Sequence, residues 1–557
     1  LTDKSIDGRD LWSGRATVRF KPTENLTVDF VWEHFQEDDD RIRSSKQLCK
    51  RDNGPATVGG YSTAVGSDGK LGQEFLSQGC LPVSLYSPEA FQVPNALALP
   101  YYGGVIGAGF GQSLASPLTS VSFGRGNNDP YASVTQSTDL RVIESSLNPD
   151  YRAKNNVFQL NADYKVTPAL TVTSSTGYNN DFLWSTEDYN RFNTRPGIFA
   201  YIPGTDAYQW GTLTQPDGNY VCGDGTLSVG GNHCDTSNPL LLPPVATGYF
   251  CDPQLGCSNR LVAEDLVEEH AWQLNQEFRL ASSLSGPLNF SVGGNFMHYE
   301  TEENYFVFFN TLTMYNAKTL KSWNLSDPST MQCLTNKQLV NPGDPGLAGY
   351  ACGWTDPGPI DNLDYQGHNY FLSQNPYTLN SYAGFGEVYY NVLDDLKLTG
   401  GLRWTDDQKH FVDIPSALLT QGYGYVVTGT VDQEWKEWTG RFAANWTPKL
   451  DFTDQTLVYG TFAHGFKAGG ANPPGALFTL FQSGTVPSVT HPLTFAPEFI
   501  NAYELGTKNT LLDGALTLNG DFFYYDYKGY QISEIVDRTS INLNFDASIK
   551  GAELEAK

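Results

Sequence analysis

Along much of this 557-residue chain, apolar and polar residues alternate one for one. Trp272, Leu274, Phe278 and Leu280 are interleaved with Gln273, Asn275, Glu277 and Arg279, and Gln276 is the only polar residue in the apolar series. Phe158, Leu160, Ala162 and Tyr164 alternate in the same way with Gln159, Asn161, Asp163 and Lys165. Leu26, Val28, Phe30 and Trp32 alternate with Thr27, Asp29 and Glu33. Farther on, Leu396, Leu398, Leu402 and Trp404 oppose Lys397, Thr399 and Arg403, and Phe442, Ala444 and Trp446 oppose Arg441, Ala443 and Asn445. A period of two is that of a β-strand whose faces meet unlike surroundings. An all-β antiparallel fold follows, but a soluble sandwich with its apolar face turned inward would alternate in the same way.

The connections separate the two. Short turns are predicted at 21–25, 166–168, 284–287, 393–395 and 512–514, and long insertions at about 38–150, 185–268, 310–375, 411–431 and 468–497. Several insertions far exceed the roughly 12 to 15 residues usual in compact domains. Short turns at one end and long loops at the other are the pattern of a transmembrane β-barrel of an outer membrane, and a sandwich has no such polarity. The segment 376–392 exceeds the roughly 9 to 11 residues needed to cross the hydrocarbon, so the barrel should be tall. Trp12, Trp32, Trp184, Trp404, Trp438 and Trp446 are expected in its interfacial girdles. No apolar run approaches the roughly 18 residues of a spanning helix.

A net charge of −26 argues against nucleic acid as a partner and against docking on anionic lipid through basic residues. It reads as an acidic sheath of solvated loops. No nucleophile elbow, zinc-protease motif or phosphate loop is present, so no catalytic residue and no cofactor is assigned, and the chain is not read as an enzyme.

All eight cysteines, Cys49, Cys80, Cys222, Cys234, Cys251, Cys257, Cys333 and Cys352, fall in the predicted long loops. Outside the cell an even set of thiols in loops without their own core reads as staples. Sequential pairing is expected: Cys49 with Cys80, Cys222 with Cys234, Cys251 with Cys257, and Cys333 with Cys352. The middle four permit three connectivities. Zinc is the rival, but no CxxC spacing occurs. The acidic runs 37–40 and 406–407 are read as solvated strand ends, and no metal site is assigned.

The run Pro497-Glu498-Phe499-Ile500-Asn501-Ala502-Tyr503-Glu504-Leu505-Gly506-Thr507-Lys508 resembles the strand signature of TonB-dependent receptors, carried by Pro497, Glu498, Tyr503, Glu504, Leu505, Gly506 and Lys508. Residues 459–470 resemble the strand and loop that precede that signature, and 549–555 resemble a later strand motif in the same order. The resemblance implies a partial 22-stranded plugged barrel, whose signal peptide, plug domain and first strands are expected before residue 1 and whose last strands are expected after residue 557. About 13 strands are counted here, whereas single-chain bacterial barrels close with an even number.

The implied function is energy-coupled uptake of a scarce solute across a Gram-negative outer membrane, with a ferric siderophore or similar metal chelate as the expected cargo. A passive porin-like channel and a surface adhesin or scaffold with stapled loops are the alternatives. The implied partners are the TonB-ExbB-ExbD complex, acting through the plug, with outer-membrane lipid and lipopolysaccharide around the wall and a surface protein as a further partner. Glu277, Arg279, Glu387 and Arg403 are expected to face the lumen. His464 and His491 lie where haem-uptake members carry a histidine, but 466–470 departs from their motif, and both are read as exposed loop residues. Tyr101, Tyr102, Tyr423 and Tyr425 are read as loop aromatics.

Overall fold

The computed structural model describes residues 5–64, 77–94, 133–196, 254–310, 371–414, 429–473, 492–536 and 539–557, with a few short pieces between them. Thirteen long strands follow one another: β1 (Leu11–Thr23), β2 (Leu26–Asp39), β3 (Asp150–Thr167), β4 (Leu170–Asp188), β5 (Ala263–Ser282), β6 (Leu288–Phe309), β7 (Tyr377–Leu393), β8 (Leu396–Asp413), β9 (Gly429–Trp446), β10 (Gln455–Lys467), β11 (Glu498–Leu511), β12 (Leu516–Val536) and β13 (Thr539–Ala556). Each pairs antiparallel with the next. A short strand, Phe371–Gln374, adds to the outer end of β6 and completes a 14-stranded sheet. No helix among the described residues is long and apolar enough to cross a membrane.

Turns and loops segregate to opposite ends, as the sequence predicts. Only residues 24–25, 168–169 and 394–395 separate β1 from β2, β3 from β4 and β7 from β8, whereas 40–149 and 189–262 are the insertions at the other end. The turn after β11 reverses through Leu512 and Asp513 in the left-handed region (φ 58° and 55°), followed by Gly514 at φ 84°, where a side chain would be strained. One connection breaks the expected alternation. Between β12 and β13 only 537–538 intervene at the long-loop end, and these strands, of 21 and 18 residues, carry the wall outward in place of a loop.

The pairing register keeps the two faces distinct across the sheet. Phe462 lies opposite Tyr503 and Tyr503 opposite Tyr524, and their rings stand 5.1 and 6.3 Å apart. Phe296 meets Tyr382 at 5.2 Å in the same way. On this face Leu402 is 64% exposed, Trp438 62% and Phe522 70%. A band of exposed apolar side chains that runs from strand to strand marks a membrane or partner surface rather than a face turned to water. Its natural solvent is hydrocarbon, in which a sheet survives because its backbone groups are paired strand to strand.

Trp184 departs from expectation: it is 7% exposed and belongs to no girdle. It packs with Leu266, Phe306 and Phe308, and Phe182, Leu255 and Ile360 close over them. The strands β4 to β6 continue past the apolar band, and a hairpin (Phe250–Asp252 with Gly256–Ser258) carries Leu255 between its strands back onto this face. Side chains that would otherwise meet water there gain a small core of their own, each burial contributing about 1.5 to 3 kcal/mol.

Candidate functional site, the polar face and its loop-clamped outer end

The face opposite the apolar band is a lattice of polar contacts. Arg19 holds Asp29 through two parallel hydrogen bonds of 2.6 and 2.9 Å. Asn155 and Asn179 both donate to Asp181. The Arg441 Nε donates to Glu387 at 2.6 Å, and the Tyr389 hydroxyl donates to the other oxygen of the same carboxylate. Arg403 donates from Nε to Thr405 at 3.1 Å and lies 5.7 Å from the Phe385 ring. Arg279, Gly293, Phe385 and Arg403 occupy one cross-strand row, and Glu277 is one row nearer the loops, opposite Asn295. Of the four residues assigned from alternation, Glu387 is tied into an ion pair, Arg403 lies against the Phe385 ring, and Arg279 shares their cross-strand row.

Two of the sequence motifs meet on this face. Tyr459 pairs with Gly506 in register, and its hydroxyl donates to Glu504 at 2.5 Å. The Lys508 ammonium lies 5.6 Å from the same ring. Gly506 leaves the space that the ring fills, since a Cβ there would lie 2.6 Å from the Tyr459 hydroxyl oxygen. Tyr503 and Leu505 project to the opposite face, 48% and 60% exposed. The Glu-x-Gly-x-Lys spacing is thus the seat of one tyrosine from the preceding strand, and the interleaved residues belong to the apolar band. Pro497 accepts no assigned role beyond the approach of its carbonyl to Gly529, and Glu498 accepts the backbone N–H of Gln531 at 2.9 Å.

At the outer end the segment after β2 turns onto the polar face of the neighbouring strands. Arg43 grips Asp265 on β5 through both terminal nitrogens, at 2.6 and 3.2 Å, and donates from Nε to Ser185 on β4 at 2.8 Å. The Tyr305 hydroxyl on β6 donates to the same aspartate at 3.0 Å. Ser44 adds two 2.9 Å bonds to Glu187 from its backbone and its hydroxyl. A bidentate arginine fixes both position and orientation, so this is a clamp between loop and wall. A second strap lies across β8, β9 and β12, where the carbonyls of Ala468, Gly469 and Gly470 accept from Gln531, Lys409 and Gln433. Neither clamp was legible in the sequence, because each joins residues distant along the chain by no repeating pattern.

Beside the first clamp, Glu264 and Asp188 face one another as register partners on β5 and β4. Both are buried, and Asp252 from the hairpin is close enough to act on Glu264 electrostatically. Burial pushes Glu264 up to about 8, opposed by a hydrogen bond with Thr186 and reinforced by Asp265, Asp188 and Asp252. Burial likewise raises Asp188, against hydrogen bonds from Ser146, Arg191 and Asn190.

The acidic run at the end of β2 is not the solvated strand end that its composition suggests. Glu37 is 2% exposed and bonded by Arg41, Asp39 accepts the N–H groups of Asp10 and Arg41 at 3.0 Å, and Asp40 accepts that of Gly8 at 2.5 Å. Asp406 is also buried. At the end of β2 the reason is that the strand is overlaid by chain that supplies donors, whereas Asp406 lies within β8 with the Lys436 ammonium 3.8 Å from one of its oxygens. His464 is not a loop residue but part of β10, with Nδ1 2.8 Å from Asn501 Oδ1. Among the described residues no group of three or more His, Cys, Asp or Glu is placed to hold a metal.

The disulfide Cys49–Cys80 is formed as expected, with a Cα–Cα distance of 5.1 Å. Cys257 is also disulfide-bonded, and Cys251 is its register partner across the hairpin. Cys222, Cys234, Cys333 and Cys352 lie outside the described residues, as do His491, Tyr101, Tyr102, Tyr423 and Tyr425.

Comparison with known proteins gives one family match, described as "TonB dependent receptor-like, beta-barrel", over residues 259–557. No curated protein sequence matches. Among solved structures, the chain is similar to the ferric yersiniabactin uptake receptor FyuA from Yersinia pestis, at 12% identity over 99% of this chain and 49% of that one, with a TM-score of 0.47. It is also similar to the siderophore receptor PiuA from Acinetobacter baumannii (11% identity, 98% of this chain, 54% of that one, TM-score 0.46). The ferric-catecholate import receptor Fiu from E. coli K12 matches at 12% identity, over 98% of this chain and 55% of that one, with a TM-score of 0.46. The chain spans about half the length of these structures.

Proposed function

The chain belongs to the TonB-dependent receptor family, as part of its β-barrel, and from that premise we propose that it walls an energy-coupled uptake path for a scarce solute across a Gram-negative outer membrane. The cargo in this reading is a ferric siderophore or a similar metal chelate. The apolar band meets lipid, and the polar face, with Glu277, Arg279, Glu387 and Arg403, lines the lumen. The long loops lie outside the cell, where a disulfide persists. Coupling requires a plug domain in the lumen that the TonB-ExbB-ExbD complex pulls, supplied by sequence outside residues 1–557, together with further strands. No catalytic role is assigned to any residue.

The observation that carries this reading is the agreement between the family match over 259–557 and one uninterrupted antiparallel sheet with an apolar and a charged face. A mere channel needs the same wall but no energy, and that difference is testable. A deletion strain should lose uptake of labelled ferric siderophores under iron limitation, and a protonophore should abolish the uptake that the intact gene restores. Uptake that survives the protonophore would assign a passive channel. Normal iron-limited growth with normal siderophore uptake in the deletion strain would remove the cargo.

A further inference from the structure

On the polar face, β3 to β6 carry a tract of amides on the loop side of the Arg279 row. Asn161, Ser175, Glu277 and Asn295 form its first cross-strand row, and Gln159, Gly177 and Asn275 its second. Asn179, Gln273 and Tyr299 form the third, and Asn155, Asp181, Ala271, Thr301 and Tyr377 the fourth. Some of the amides brace one another: Asn155 donates to Asn179 at 2.9 Å, and Asn295 to Asn275 at 2.7 Å. Gln159, Asn161 and Gln273 make no side-chain hydrogen bond among the described residues. At Gly177 a side chain would meet nothing within 4 Å, which leaves a hollow between Gln159 and Asn275. At the loop-side margin the rings of Tyr299 and Tyr377 stand 6.2 Å apart, tilted by 56°.

Charge sets this tract apart from the rest of the face. β4, β6 and β7 contain no Lys or Arg. Arg152 and Lys154 of β3 lie on the opposite face, in register with Trp184 and Phe182, and Lys165 and Arg279 lie at or beyond the turn-side margin. Cations around the border are engaged: Arg19 by Asp29, Arg15 by Glu33, Arg43 by Asp265 and Lys409 by the Gly469 carbonyl. Asp181, Glu269 and Glu303 therefore stand at the loop-side margin without an ion pair among the described residues. An anionic solute would meet like charge there. A hydroxyl both donates and accepts, as an amide does, and adjacent strands repeat such groups every ~4.8 Å. The two tyrosines add ring faces against which the C–H face of a sugar can pack. A wetted lumen needs only polar side chains, whereas neutral amides in rows beside two rings match a solute rich in hydroxyls.

We propose that this tract binds saccharide free of acidic groups, as a class of solute beside the metal chelate. The inference rests on the reading of the polar face as the lumen wall. It is tested with the full-length protein in detergent on an array of neutral and uronic-acid oligosaccharides, followed by titration calorimetry with the neutral glycan that binds best. Neutral glycans should be retained and uronates should not. Gln159→Leu with Gln273→Leu should weaken binding about tenfold, the scale of one to two net hydrogen bonds, and neither side chain holds another part of the wall. Tyr299→Phe should keep the affinity that Tyr299→Ala loses. Retention of uronates as tight as that of neutral glycans, an array without any binding, or unchanged affinity in the double variant would overturn the proposal. Protonophore-sensitive siderophore uptake by a protein that binds no glycan would remove this inference alone. Glycan binding by a protein whose deletion changes no uptake would remove the transport reading and leave the site.

Discussion

Tyr459 fills the space left by the missing side chain of Gly506 and donates its hydroxyl to Glu504, two residues away on the same strand. Gly506→Ala should therefore cost about 1 to 3 kcal/mol, the range for overpacking. The cost should shrink in the background of Tyr459→Ala, because the two changes share one space. Heat-dependent gel mobility of the folded barrel measures both, and equal costs in the two backgrounds would refute the coupling.

The apolar face can be tested at Leu402, which is exposed on β8. Leu402→Arg should destabilise the barrel in bilayers by about 2 to 4 kcal/mol, as for a charge near the hydrocarbon midplane. Urea unfolding in lipid vesicles provides the measurement, and an unchanged midpoint would mean that this face does not meet hydrocarbon.

Arg43 and Asp265 join the first long loop to the wall, with 27% and 4% of their side chains exposed. Arg43→Ala should free the loop and leave a buried aspartate beside Tyr305 without its cation, at about 3 kcal/mol or more. Limited proteolysis within 44–149 should accelerate, while cleavage in the short turns at the other end should not change. Identical digestion patterns would show that the clamp does not hold the loop.

Glu264 gives this end a dependence on pH. Its carboxyl is raised to about 8 from an ordinary value of 4.5, so between those values the folded state keeps a proton that the unfolded state has lost. Stability must then fall as pH rises through the window and level off above about 8. Hydrogen exchange of the hairpin at 250–258 should be slower at pH 6 than at pH 9 after correction for intrinsic rates. Glu264→Gln should reduce that difference, leaving the part contributed by Asp188, which burial also raises, and an unchanged slope in the variant would assign the dependence to groups other than Glu264.

The Cys49–Cys80 disulfide closes a segment with a separation of 31 residues. Its removal by a double Cys→Ser substitution should lower the local stability of the loop by about 2 to 4 kcal/mol. The barrel should melt unchanged, because the bond ties loop to loop. Proteolysis at Lys50 and Arg51 should report the loss, and a matching drop in barrel stability would show that the loop supports the wall.

The strands, their two faces and the polarity of their connections were written in the sequence by itself, because a period of two and the turn residues act over a few neighbours. Trp272 and Phe278 declared one face and Glu277 and Arg279 the other, and Gly506 stood in a recognisable motif without revealing the ring it makes room for. Tertiary structure alone decided that Trp184 lies in a small core rather than in a girdle, that Glu37 is enclosed rather than solvated, and that Arg43 reaches Asp265. Each of these outcomes depends on where a long insertion folds back. Loop placement is set by contacts between residues tens to hundreds of positions apart, to which local periodicity is blind.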